Sequence, residues 1–172
     1  MFGLEDDVML CAVYVNPVSS QTCVYDLYST FADELSYAAQ VTENLVLCGD
    51  FNAHVGDLSE VSDFHGSTLV AVPALHEPRR VQRKSNNKAG RLLVDLAAAF
   101  KCIIAAGRSP GDDGQPTCSK ESGSSRPDHI LLSPKMFAAV HNTCIDKNER
   151  PDLCSLCHKR GFLGGGYLLL KR

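Results

Sequence analysis

The chain has 172 residues, with 44% hydrophobic and 22% charged residues. That is about one domain of ordinary globular composition, which excludes a disordered or low-complexity segment as the default. The net charge of −3 excludes a globally basic nucleic-acid binder, so such a partner would need a local basic surface or a metal.

In chain order, Val8 to Val15 is an apolar, β-rich run that reads as a strand and ends in Tyr14-Val15-Asn16-Pro17. Ser19-Ser20-Gln21-Thr22 offers caps for a helix of roughly Val24 to Gln40. In that helix Leu27, Phe31, Leu35 and Ala38 recur at 3.6-residue spacing and form one apolar stripe. A short buried strand, Leu45 to Cys48, stops at Gly49. Strand, helix, strand at this spacing predicts a βαβ-like layer, with the helix covering one sheet face. Asp57 to Ala89 follows as a long polar loop with weak periodicity and two prolines, Pro73 and Pro78.

A second helix is expected over Gly90 to Lys101, with Leu92, Leu93, Leu96, Ala97 and Phe100 on one face. Cys102 to Ala106 reads as a strand, Gln115 to Ser119 as a short one, and Lys120 to Ser125 as a hairpin connection. His129 to Leu132 is a strand carrying Asp128 at its start. Pro134 to Val140 is a helical turn and Val140 to Ile145 a last strand. The fold class is therefore α/β, with residues 1–145 as the domain and 146–172 as an unrelated, flexible tail. In that tail Cys154, Cys157 and His158 lack an evident fourth zinc ligand and read as incidental.

The eight cysteines are scattered, several inside apolar strands where a thiol behaves as a small hydrophobe. The acidic N-terminus carries no basic leader, and no apolar run approaches the ~20 residues of a membrane span. These features predict an intracellular protein of nucleus or cytoplasm, not secreted and with no membrane partner. Arg79, Arg80, Arg83, Lys84, Lys88 and Arg91 form a run without acids between Glu77 and Asp95, a candidate surface for nucleic acid.

The segment that carries chemistry is Gly49-Asp50-Phe51-Asn52. Along an extended backbone Asp50 and Asn52 fall on one side and Phe51 turns into the interior. A carboxylate there can ligate a hard cation or take a proton from water, and an amide can donate to a phosphate oxygen. Gly, Asp and Asn are also common turn formers, so a plain turn accounts for the tripeptide alone.

Followed by Ala53-His54-Val55-Gly56, this segment resembles the endonuclease/exonuclease/phosphatase family. More narrowly, it resembles the apurinic-type endonuclease domain of non-LTR (LINE-like) retrotransposons. Two further places match: Tyr14 before a Pro-containing turn, and Pro116-Thr117-Cys118 followed by Ser125-Arg126-Pro127-Asp128-His129. In the second match Pro127 stands for an aliphatic residue and His129 for an aromatic one. The resemblance runs from about Val8 to Ile145.

It implies a partial four-layer α/β sandwich, the C-terminal half of a fold of about 250 residues. It also implies a DNA-nicking hydrolase that uses Mg²⁺ or Mn²⁺ and no small-molecule cofactor. In that reading Asp50 holds the metal and the attacking water, Asn52 binds the scissile phosphate, and Tyr14 donates to a phosphate oxygen. Asp128 orients a catalytic histidine, while Asn16 and Thr117 touch substrate. The family's metal-binding glutamate and its C-terminal Ser-Asp-His have no counterpart here. A truncated, impaired copy is therefore expected, with uncovered sheet surface prone to self-association. A non-catalytic or nucleic-acid-binding remnant, and a phosphatase or exonuclease of the same fold, are the alternatives.

Overall fold

The computed structural model describes residues 7–16, 21–61, 64, 72–120, 123–145 and 166–170. Strand β1 (Val8–Tyr14) leads through helix α1 (Gln21–Val41) to β2 (Asn44–Asp50), which pairs parallel with β1. This is the expected βαβ layer, but the stripe is shifted at its start: Tyr28, Leu35 and Ala38 are buried and Phe31 partly so, while Leu27 is 42% exposed. A 3-10 turn (Pro73–His76) and helix α2 (Lys88–Ala99) follow, then β3 (Ile103–Ile104), β4 (Cys118–Lys120), β5 (Gly123–Ser125) and β6 (Asp128–Leu132). Helix α3 (Pro134–Ala138) and strands β7 (Val140–Ile145) and β8 (Gly166–Leu170) complete the described elements. The main sheet is mixed, in the order β1-β2-β6-β3, with β6 antiparallel to both its neighbours.

Each sheet face has its own core. Leu45, Leu47, Leu131 and Ile104 pack against Tyr28, Leu35 and Ala38 of α1 and Leu93, Leu96 and Ala97 of α2. The alternate residues Val46, Leu132 and Ile103 meet Met136 and Phe137 of α3, with Phe64, Val72 and Leu75. A period-2 strand between two apolar layers must be apolar at every position, and Leu45, Val46 and Leu47 of β2 are all buried.

The long segment 57–89 is not the featureless loop its composition suggests. It contributes Phe64, Val72 and Leu75 to the second core, and its Glu60 is wholly buried. Glu60 pairs with Arg79 and, at 3.3 Å, with Arg108, and accepts the Ile104 N–H at 3.0 Å. Arg79 also donates to the carbonyls of Ile104 (3.0 Å) and Ala106 (2.6 Å). Buried charges are tolerated when paired and hydrogen-bonded in this way.

The basic run is accordingly broken up, and Arg79 leaves it as a buried structural cation. Lys88 lies 3.7 Å over the Tyr25 ring, and Arg91 donates to Asn86 at 2.7 Å. Arg83 reaches the Ser124 carbonyl at 3.3 Å. Arg80, Arg83 and Lys84 are the exposed remainder of the 79–84 stretch.

Several boundaries differ from expectation. Strand β2 runs to Asp50 rather than Cys48. The 102–106 strand contracts to two residues because Ala105 and Ala106 already enter a turn. The backbone of Gly123 to Ser125, expected as part of a connection, forms β5 against β4. In the expected tail, residues 146–165 and 171–172, including Cys154, Cys157 and His158, lie outside the described residues, while β8 pairs antiparallel with β7. On β1, Leu10 is 68% and Tyr14 58% exposed. They alternate with Met9, Cys11 and Val13, which pack on the helix side.

Candidate functional site

The register of the sheet places three of the four motif residues in one row. Tyr14 pairs with Asp50 across β1 and β2, and Asp50 pairs with Asp128 across β2 and β6. Directly paired residues point to the same face at Cα separations of about 5 Å. The phenol and the two carboxyls therefore form a row about 10 Å long at one end of the sheet.

Gly49 makes this approach feasible. Its φ is +147°, and a Cβ there would lie 1.9 Å from the Val13 carbonyl oxygen. Phe51 turns to the opposite face, fully buried, with its ring centroid 6.2 Å from those of both Phe31 and His129. Its N–H donates to the Pro127 carbonyl at 3.0 Å. Strand β6 thus continues to grip β2 one residue before Asp128, although Pro127 itself has no N–H to offer.

Asn52 departs from simple alternation. Its φ of +46° ends the extended backbone, a left-handed conformation that asparagine tolerates better than most residues. Its backbone N–H donates to Asp50 Oδ1 at 2.9 Å and its Nδ2 to the Val15 carbonyl at 2.5 Å. The turn thereby positions the Asp50 carboxylate. One of the two Nδ2 hydrogens is used by Val15 and one is left for a ligand.

Thr117 donates its hydroxyl to Asp128 Oδ2 at 2.5 Å, which makes it a holder of the second carboxyl. Among the described residues Thr117 is the hydrogen-bonding side chain on Asp128, where the resemblance implies a histidine. His129 cannot fill that place. It lies on the other face, 3% exposed, with Nε2 2.8 Å from the Ala53 carbonyl. Asn16 is exposed in the turn after β1.

Burial pushes the Asp128 carboxyl up to about 6, opposed by the Thr117 hydroxyl, with the Asp50 charge adding to the rise and Arg126 opposing it. The folded state therefore holds a proton that the unfolded chain has released above its ordinary value near 3.8. The associated stability is present below pH 4 and lost as pH rises through 6. Asp128→Asn keeps an acceptor for Thr117 and removes the ionisation. It should melt higher than the native chain at pH 7.5, by on the order of 1–2 kcal/mol, with the two curves converging toward pH 4. Thermal melts at the two pH values check this, and a lower melt at pH 7.5 would overturn it.

Among the described residues no three His, Cys, Asp or Glu side chains gather as a metal-binding group. Mg²⁺, however, is commonly held by one or two carboxylates, substrate phosphate and water. Asp50 beside Asp128, two carboxyls whose charges oppose one another, is a donor set of that kind. Sequence reasoning missed Glu60, hidden in a segment without periodicity, and the packing role of His129, whose signal was its substitution for the family's aromatic residue.

No protein-family model matches the sequence, and no curated protein matches it. Solved structures do match the fold. A 3'-5' exonuclease, NExo, from Neisseria meningitidis aligns with a TM-score of 0.63 at 16% identity, over 96% of this chain. A 3' phosphatase NExo structure from Neisseria, bound to a product DNA hairpin, aligns at 0.55 and 18% identity over 83% of this chain. The chain spans 62% and 56% of the length of these two proteins. The chain thus has a mixed α/β fold, a mixed sheet with helices against it, similar to that of these two structures.

Proposed function

We propose that this chain is a phosphodiester hydrolase that acts on DNA, dependent on Mg²⁺ or Mn²⁺ held by Asp50. The single observation that carries the proposal is the row of Tyr14, Asp50 and Asp128 on one sheet face. Support comes from the fold likeness to an exonuclease and to a phosphatase bound to DNA. The metal would supply Lewis-acid stabilisation of the charge developing on the phosphate. Tyr14, exposed at the end of the row, donates its hydroxyl to a non-bridging oxygen, and the second Nδ2 hydrogen of Asn52 donates to another. Asp50, fixed by the Asn52 N–H, holds the attacking water. Asp128, raised to about 6 and held by Thr117, is a carboxyl able to exchange a proton near neutral pH.

The endonuclease reading and a non-LTR retrotransposon origin rest on the sequence motifs. A reverse-transcriptase reading frame downstream of the same locus would support that origin, and its absence would count against it. The named activities of the structural neighbours favour a second reading, removal of 3' nucleotides or 3' phosphates. The free thiols of Cys11, Cys48, Cys102 and Cys118 fit the intracellular setting, nucleus or cytoplasm, that we propose.

The test is nicking of supercoiled plasmid by the purified chain in Mg²⁺, beside oligonucleotides with a recessed 3' end or a 3' phosphate. Slow, chelator-sensitive conversion of one of these substrates is expected. No turnover of any substrate in Mg²⁺ or Mn²⁺ would leave the non-catalytic remnant as the correct reading.

A further inference from the structure

The turn that carries Asn52 is held from outside by Asn87, which lies 35 residues further along the chain. Asn87 is the N-cap of α2, and its Oδ1 accepts the Gly90 N–H at 2.7 Å. The same oxygen accepts the His54 N–H at 3.0 Å, and the Asn87 N–H donates to the His54 carbonyl at 3.1 Å. Its Nδ2 donates to the Asn52 carbonyl at 3.2 Å. Two N–H groups aim at one side-chain atom and a carbonyl faces the other, so the amide oxygen and nitrogen fit only one way round. The start of the helix lies directly on the turn: a Cβ at Gly90 would sit 1.9 Å from the His54 carbonyl oxygen.

A helix cap needs only the Gly90 contact, which Ser, Thr or Asp supplies as well. The donation to Asn52 needs the amide. Asn52 is a left-handed residue, φ +46°, at the end of β2. Its N–H goes to Asp50 Oδ1 and one Nδ2 hydrogen to the Val15 carbonyl, both on the strand side of the turn. The direction of its own carbonyl is set by its ψ, and the Asn87 amide fixes that direction from the helix side. Without it Asn52 can relax out of the left-handed region. That movement shifts its carboxamide and loosens the turn on which the Asp50 carboxylate is held.

We infer that Asn87 is a positioning residue for the phosphodiester chemistry, its amide holding Asn52 in the conformation on which Asp50 and the second Nδ2 hydrogen of Asn52 depend. The inference rests on the hydrolase reading of the Tyr14, Asp50 and Asp128 row and adds to it a residue outside that row. Asn87 touches no reacting atom; it acts through Asn52.

Asn87→Asp separates capping from positioning. The carboxylate is as good an N-cap and keeps an acceptor for Gly90 and His54, but it has no hydrogen to give Asn52. Its melting temperature should stay within about 2 °C of the native value. Amide exchange at Asn52, read by NMR on the full chain, should speed up about five- to tenfold, the effect of one lost hydrogen bond on a local opening. Exchange at Gly90 should stay near its native rate. Turnover in Mg²⁺ of the substrate that the native chain converts should fall about 10- to 100-fold. Asn87→Ala loses the cap as well, so it should show the same two effects and melt a few degrees lower. Asn86→Ala, which removes an exposed contact with Arg91, should match the native chain throughout.

Native exchange at Asn52 in Asn87→Asp overturns the inference, and so does native turnover by a variant whose Asn52 amide has become exposed. Should Asn87→Asp melt as low as Asn87→Ala, Asn87→Ser, a good cap whose side chain is one bond shorter, takes its place under the same criteria. The exchange rates are read without substrate or turnover. A native chain that converts nothing removes the hydrolase reading and the chemistry that Asn87 serves, whereas native exchange at Asn52 removes the role of Asn87 and leaves that reading standing.

Discussion

Asp50→Ala should reduce plasmid nicking by at least about 10²-fold, and to background if the native rate is already low. A positioned acid–base group contributes roughly 10²- to 10⁴-fold, and removing a metal ligand takes away a further factor. The substitution should leave the fold intact, because Asp50 sits half-buried at the end of β2 and its side chain is held by one turn N–H. The decisive comparison is nicking rate against melting temperature. Lost activity with a native-like melt places Asp50 in the chemistry. Unchanged nicking by a folded variant would show that the row is not the site, and that a contaminant or another surface cuts.

Gly49→Ala should damage fold and activity together. The new Cβ would fall 1.9 Å from the Val13 carbonyl oxygen, in a backbone region that L side chains rarely adopt. Such strain costs at least about 3 kcal/mol, a large part of the roughly 5–15 kcal/mol typical of a domain. The relief available is to part β1 from β2, which would carry Tyr14 away from Asp50. Denaturant unfolding should give an early midpoint, and nicking should fall even where the chain stays folded. Cys48→Ala, one residue earlier and half-buried, is the matched control and should be mild on both measures. A Gly49→Ala chain with native stability would mean the two strands are not held as closely as the register requires.

How legible this site was depended on what kind of signal each residue left. Asp50, Tyr14 and Asp128 were readable because each sits where an apolar run stops, and strand ends in a small sheet converge. Helix α1 and strand β7 were readable from side-chain periodicity and apolar content. The Glu60–Arg79 pair was not, since a contact between two residues of an aperiodic segment leaves no local pattern. It also turned part of an apparently basic surface into buried structure. The conformation of Asn52 was not legible, because alternation holds only while the backbone stays extended and here φ turns positive. Thr117 was recognised by resemblance, yet its partner, eleven residues on, required the β4–β5 hairpin to be seen folded back on β6.

Asp128 and His129 are consecutive residues with opposite proton affinities, and together they predict an unusual calorimetric signature. Unfolding between about pH 4 and 6 lets Asp128 release a proton, since its carboxyl returns from about 6 toward 3.8. Over the same interval His129 takes one up, as its ring returns from about 3 to 6.5. The stability that His129 contributes is present above pH 6.5 and lost as pH falls toward 3, while that of Asp128 runs the other way. Across the overlap the proton uptake of this pair is close to zero, so it adds no slope to stability against pH. The pair then adds nothing to the dependence of the unfolding enthalpy on the ionisation heat of the buffer. Asp128→Asn breaks the cancellation, and its unfolding near pH 5 should absorb about one proton more than that of the native chain.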